Sequence, residues 1–350
     1  MFNRRQFLQL AALALPMAQA SAGQGVTGER VLLAASWDEG AMAFGALKSP
    51  PIALPGRGHG IIPLPNGQAI VVSRRLGSWL AKIDWRNGRI IQLIAAEFDR
   101  HFFGHAVLSP DGKTLITTEN DGETGQGVLG LYAVDTLKRL GEIPSHGIGP
   151  HELLWLEQGK ILAVANGGIL TLPETGRMKL NRGAINPALV LLDWPTGHLR
   201  EQYILPDQAL SIRHLARSAD GVLGIALQAE YLDPQRHADA PLLAILRDGE
   251  LRLAATVPNL QGYGASIAAV GNEFLVSALK GNALARWTSD GKALPPIPFA
   301  RAAGIASDGR QAWLSGETGS LAHYDPATAR LTPLNNMPAR RWDNHLLLAS

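Results

Sequence analysis

Cysteine is missing altogether from the 350 residues. Disulfides, thiolate nucleophiles and Cys-ligated metals are thereby excluded, and stability has to come from a packed core. Excess charge is missing too, with 32 Lys and Arg against 30 Asp and Glu. No basic run or stripe exists to track phosphates, so nucleic acid is not an expected partner. After residue 22 there is no second long apolar stretch and no sustained stripe at helical spacing. Neither a membrane anchor nor a helical fold is expected on that pattern. Three catalytic signatures are also lacking: a G-x-S-x-G elbow, an H-E-x-x-H zincin pair and a G-x-x-x-x-G-K-[ST] loop. The glycine-rich run 122–127 leads into no helix, so it is no phosphate cradle.

The N-terminus carries an export signal. Residues 1–22 read MFNRRQFLQLAALALPMAQASA, with a basic start at Arg4 and Arg5, a short apolar run and an A-x-A ending. That layout is a cleavable signal peptide, and NRRQFL resembles the twin-arginine type. The expected location is the periplasm. Removing the signal leaves 30 basic against 30 acidic residues, because it contains two arginines and no acid.

Glycine and proline are abundant, at 38 and 22 residues. They punctuate a repeat. An apolar strand, a turn with Gly or Asp and a second strand recur at 58–73, 104–118, 150–165, 213–227, 264–278 and 301–315. The starts are separated by 46, 46, 63, 51 and 37 residues, and each copy precedes two further short strands. Four strands per unit at this period is the pattern of β-propeller blades, which must stack in a ring to cover their faces. A seven-bladed β-propeller over residues 29–350 is therefore expected. Six blades lie between 57 and 336. The seventh is split, with three strands from 30–56 and its innermost strand from HLLLAS at 345–350.

Superposing the copies puts a histidine in one slot of five blades: His59, His105, His151, His214 and His345. The other two blades offer Gly264 or Ala265, and Arg301 or Ala302. The slot falls where the chain crosses from one blade to the next, at the rim of the central channel. Around that mouth the loops between second and third strands bring Arg74, Arg75, Glu119, Asn120, Asn166, Gln228, Glu230, Lys280, Asn282 and Glu317, with Asp38 and Glu39 from the split blade. Glu152, Arg213 and Arg301 are expected beside them at the rim. The 167–187 loop is long enough to act as a lid or docking element. Two readings of the histidines stand. Either they bond neighbouring strands as structural elements of the repeat, or two to four of them hold a metal, with His105, His151 and His214 the first choice. An imidazole site without thiolates suits iron, copper or zinc. His101 and His146 could join the rim, whereas His198, His237 and His323 read as solvated turn residues.

The runs GHAVLSPDGKTLITTENDGETGQGVLGLY, SHGIGPHELLWL, ANGGI…PETGR…LN and SIRHLA together resemble a bacterial family of periplasmic propellers of unknown function. The resemblance covers residues 30–350. It implies twin-arginine export, and a link to iron or redox handling through imelysin-like and di-haem-peroxidase-like proteins encoded nearby. The expected function is a monomeric periplasmic accessory protein of metal acquisition, with imelysin-like iron-uptake proteins as partners. A metal-dependent lactonase-like hydrolase and a plain interaction scaffold are the alternatives.

Overall fold

A computed structural model describes residues 31–38, 41–46, 51–334 and 340–349. The export signal at 1–22, Glu39 and Ser350 lie outside the described residues. Those that are described form a β-propeller of seven four-stranded antiparallel sheets. One sheet holds β1 (Val31–Asp38), β2 (Ala41–Ala46) and β3 (Ile52–Ala53). The next holds β4 (Gly58–Leu64), β5 (Gln68–Ser73), β6 (Trp79–Asp84) and β7 (Arg89–Ala95). Then come β8 (Arg100–Leu108), β9 (Thr114–Asp121), β10 (Gly127–Ala133) and β11 (Arg139–Pro144). The fourth set is β12 (Pro150–Leu156), β13 (Ile161–Asn166), β14 (Ala188–Asp193) and β15 (His198–Tyr203). The fifth is β16 (Leu210–Arg217), β17 (Leu223–Ala229), β18 (Leu243–Arg247) and β19 (Glu250–Leu253). The sixth is β20 (Gly264–Val270), β21 (Glu273–Ala278), β22 (Ala283–Thr288) and β23 (Ala293–Pro298). The last is β24 (Ala302–Ser307), β25 (Ala312–Gly316), β26 (Leu321–Asp325) and β27 (Arg330–Pro333). Strand β28 (Trp342–Ala349) returns to the first sheet and pairs with β1, Val31 opposite Ala349.

Burial explains why these residues are strands. In the interior strands both faces are covered, so the sequence runs apolar without alternating. All six residues of β13, ILAVAN, are buried. Ile161, Ala163 and Ala165 face one neighbouring sheet, whereas Leu162 and Val164 face the other. The core is thus a series of layers between blades, each fully buried Leu, Ile or Val side chain contributing about 1.5–3 kcal/mol. Outer strands meet water. In β7 exposed and half-buried residues alternate, and β15 is exposed from His198 to Gln202. Trp287, Trp342, Trp79 and Trp85 are buried between sheets, and the Trp287 indole donates to the carbonyl of Ala255.

Inner strands neighbour one another in the order β28, β4, β8, β12, β16, β20, β24 and back to β28. The last strand is longer than the sequence pattern predicts. It starts at Trp342, so His345 lies inside β28 and does not open it. The apolar pattern begins only at His345 because the bulge between Trp342 and Leu346 breaks the alternation ahead of it. Removing residues 342–350 should leave β1 unpaired on its inner side and expose Leu33 and Ala34. The expected product is aggregated or rapidly cleaved in limited proteolysis. A truncated chain melting at the full-length temperature would overturn closure by β28.

Candidate functional site

Each inner strand loses register with its neighbour at one place. The breaks lie between Gly58 and Ile61, Phe102 and Ala106, Pro150 and Leu153, and Ile212 and His214. They recur between Gly264 and Ile267, between Ala302 and Ile305, and in β28 between Trp342 and Leu346. A bulge turns a side chain out of the usual two-face alternation. Here it aims side chains at the axis. His59, His105, His151 and His345 lie within these breaks, and His214 ends its own.

The five rings meet. Successive centroids are 4.3 Å apart for His345 and His59, 5.0 Å for His59 and His105, and 4.5 Å for His105 and His151. The circuit continues at 4.6 Å to His214 and closes at 5.1 Å on His345. Nitrogens of His59, His105 and His345 lie within 4.8 Å of one another, as do those of His105, His151 and His214. At the same register β20 and β24 carry Ala265 and Ala303, each two residues before its isoleucine as His59 is before Ile61. Both are fully buried and pack together. The slot therefore excludes both Arg301 and Ala302, which the spacing allowed, and takes Ala303. Gly104 makes one approach possible: at φ 103° a Cβ there would lie 2.6 Å from His59 Cδ2. Gly58 has no positive φ; its Cβ would strike Val71.

Carboxylates stand behind the rings. Asp343 binds His59 Nδ1 and Arg57, with Arg74 at 3.5 Å. Glu152 lies between two histidines, 3.3 Å from His214 Nδ1 and 3.7 Å from His105 Nδ1, and accepts 2.7 Å from the Leu215 amide. His151 and Glu152 lie side by side within the β12 bulge and reach different places. One enters the cluster and the other supports it from outside. Asp343 holds the proton on His59 Nδ1 and leaves that ring's Nε2 lone pair free. His214 Nδ1, in contrast, has no hydrogen-bond partner among the described residues, and its Nε2 is hydrogen-bonded to His151 Nε2. The Nε2 atoms of His105 and His345 are buried with no hydrogen-bond partner among the described residues.

Burial dominates the titration of these groups. It holds His59 well below the usual imidazole range despite Asp343. It does the same to His105 and His151, with cationic neighbours adding to the effect, and presses His345 to about 4. Burial also pushes Asp343 upward, yet His59, Arg74 and Arg57 outweigh it and keep the carboxylate ionised. His59, His105, His151 and His345 are consequently neutral at pH 7, the form that ligates metals.

Above the cluster lies a cavity of about 170 Å³, with His59, His151 and His214 on its floor. Arg74, Arg75, Arg213 and Gln228 line it, as the loop pattern predicts. The 167–187 loop contributes Arg177 and Lys179, so it does fold over this mouth. Phe103, Tyr263 and Asn344 complete the wall. Sequence reading missed Asp343, because its partners His59 and Arg57 lie 284 and 286 residues away.

Several expected rim residues lie elsewhere. Glu119 is fully buried inside its blade, accepting from Thr117, Tyr132 and Arg139. Its strand alternation turns it inward among those partners. Asn120, with its amide turned, donates to the Gly125 and Gln126 carbonyls and shapes its own turn. Asn166 donates to the Ser145 carbonyl at 2.8 Å and ties down a crossing. Arg301 pairs with Glu317, and Lys280 lies 5.6 Å from the Tyr263 ring; none of the three lines the cavity. His101 and His146 belong to neither nitrogen group. His198 is exposed, but His237 is half-buried against the Tyr231 carbonyl and His323 against Gln311, so these two are bonded, not solvated.

Residues 52–349 match the family described as protein of unknown function (DUF1513). The chain belongs to that family. No curated protein matches it. Among solved structures it is similar to hydrazine synthase of Kuenenia stuttgartiensis, at TM-score 0.57 and 13% identity over 84% of this chain and 89% of that one. A structure of streptogramin B lyase also gives 0.57, at 15% identity over 80% and 83%. At such identities the likeness concerns the fold alone.

The depressed imidazoles have a consequence for acid stability. Below about pH 6.5 an unfolded chain takes up protons that the buried histidines refuse, so folding stability falls with pH. Above that value these groups contribute no pH dependence. His345 alone, moved from 6.5 to about 4, accounts for on the order of 3 kcal/mol lost across that window. Urea unfolding of EDTA-treated protein from pH 8 to 4 should show the decline beginning near 6.5. A flat profile between pH 7 and 5 would contradict the burial of neutral rings.

Proposed function

We propose that the protein is an exported transition-metal-binding propeller, an accessory of periplasmic metal acquisition whose five-histidine centre holds the ion. The seven sheets are taken as seven blades of one ring, closed by β28. The carrying observation is the convergence of five mostly buried imidazoles, four of them held neutral by burial, with carboxylates near the Nδ1 side of three. Histidine ligands backed by carboxylates are the usual construction of a metal site. The separation fits as well. His151 and His214 Nε2 atoms are 3.3 Å apart, and two nitrogens about 2.0–2.1 Å from a tetrahedral ion stand roughly that far apart. An all-imidazole set suits iron, copper or zinc.

The signal at 1–22 supports twin-arginine export, and the resemblance of the repeat motifs to a family encoded beside imelysin-like proteins supports an iron-uptake partner. A monomer is in keeping with a ring that covers its own edges. A lactonase-like hydrolase would place a hard ion on oxygen donors. Here Asp343 is engaged by His59 and Arg57, and Glu152 by the Leu215 amide, which weighs against that reading. A plain scaffold with structural histidines is separated by mutation.

Elemental analysis of protein purified from native periplasm, followed by titration of the metal-free form with Zn²⁺, Cu²⁺ and Fe²⁺, tests the proposal. His105→Gln combined with His151→Gln should abolish binding and barely change the metal-free melting temperature. Glu152→Gln should weaken affinity about 10- to 100-fold. Were the histidines structural, each replacement would cost roughly 1–3 kcal/mol and added metal would change nothing. That outcome retires the metal centre and leaves the scaffold.

A further inference from the structure

The cavity over the histidines has a charge pattern that no metal explains. Five cationic side chains line it, from Arg74, Arg75, Arg177, Lys179 and Arg213, and no carboxylate does. The whole chain is nearly neutral, so this concentration is local. Two of the five are balanced: Arg74 reaches Asp343, and Lys179 pairs with Glu230. Among the described residues, no carboxylate comes within ion-pair distance of Arg75, Arg177 or Arg213. Arg213 is 8% exposed, and the Nη1 atom of Arg75 is buried with no hydrogen-bond partner.

Uncompensated guanidiniums held together under protein are costly. Burial and the adjacent arginines press Arg75 down to about 9, so it still carries its charge at neutral pH and its repulsion with its neighbours persists until an anion relieves it. The guanidinium fork matches carboxylate and phosphate oxygens, and its hydrogen bonds to them are the strong, charge-assisted kind. The faces of Phe103 and Tyr263 supply apolar wall beside these donors. At about 170 Å³ the cavity has room for on the order of a dozen water-sized groups.

We propose that this cup is a binding site for a small polyanionic oxyanion ligand, with Arg75 and Arg213 as buried anchors and Arg177 approaching from the 167–187 loop. The ligand class is a compact molecule bearing several carboxylate or phosphate groups. The site stands whether or not the histidines hold an ion, since its donors are arginines. With a metal beneath, the same anion would lie over it.

Calorimetric titration of EDTA-treated protein with citrate and, separately, with inorganic phosphate tests this at two salt concentrations. Saturable one-to-one binding of at least one is expected, and the stronger arm identifies carboxylate or phosphate as the preferred group. Binding should survive 0.3 M NaCl, because buried charges are screened far less than surface ones. Arg213→Met and Arg75→Met should each weaken it at least ten-fold, whereas Arg200→Met on an outer strand should not. Arg177→Met, an exposed loop substitution, should weaken it several-fold and serves as the readout if a buried variant fails to fold. No binding of either anion, or equal binding by wild type and all the cup variants, overturns the proposal. Because the protein is metal-free, failure here leaves the metal reading untouched. Loss of metal binding in the histidine variants with citrate or phosphate still bound would separate the two in the other direction.

Discussion

A side chain in a regular strand can point to one face of its sheet or the other, and in a propeller both faces belong to the neighbouring blades. Aiming a residue along the sheet edge, toward the ring axis, requires breaking that alternation. The bulge on every inner strand does this, and the polar centre depends on it. Where the bulge carries histidine the axis acquires an imidazole; where it carries Ala265 or Ala303 the same geometry yields a small apolar contact. Close approach between blades then becomes a matter of side-chain volume. Gly104 leaves space for the His59 ring that no Cβ would allow.

Burying polar rings creates a second requirement, that their nitrogens be used. Asp343 takes His59 Nδ1 from outside the cluster, and Glu152 stands near the Nδ1 atoms of His214 and His105. Each carboxylate is itself fixed, Asp343 by Arg57 and Glu152 by the Leu215 amide. The Nε2 atoms of His105 and His345 are left without hydrogen-bond partners among the described residues. Above them the arginines repeat the pattern with opposite charge. Carboxylates are placed behind the histidines and kept away from the cavity lining, so the mouth stays cationic although the chain is balanced. Donor nitrogens beneath a positive cup form one continuous site, suited to a cation on the floor and an anion above it.

Charged residues elsewhere do different work. Glu119, Arg139, Tyr132, Glu142 and Arg100 make a connected network within a single blade, Arg139 spanning Glu119 at 2.7 Å and Arg100 gripping Glu142 at 2.8 Å. Burial raises the Glu119 carboxyl while Arg139 holds against it. Such a group resembles a site residue by type, yet its partners are all local. It is wall, and removing either member would leave the other charge buried.

Much was legible in the chain itself. The spacing of GHGIIPLPNGQAIVVS and GHAVLSPDGKTLITT is a repeat of short strands, because each blade buries its strands by the same means and so needs the same apolar run and turn. The recurrence of His59, His105, His151, His214 and His345 in one slot followed from that register, as did Arg74, Arg75 and Arg213 at the mouth. The arrangement of ligating atoms was not legible. Which way a rim carboxylate turns depends on strand alternation interrupted by bulges, and Glu119 turned into its blade while Glu152 turned behind two histidines. Asp343 escaped notice because its significance comes from His59 and Arg57, 284 and 286 residues away. Periodicity thus determined the blades and the histidine slot, since both are properties of local strand sequence. Only the closed ring decided that five rings share one point beneath unpaired arginines, because that meeting is made by residues from strands that touch solely through tertiary contact.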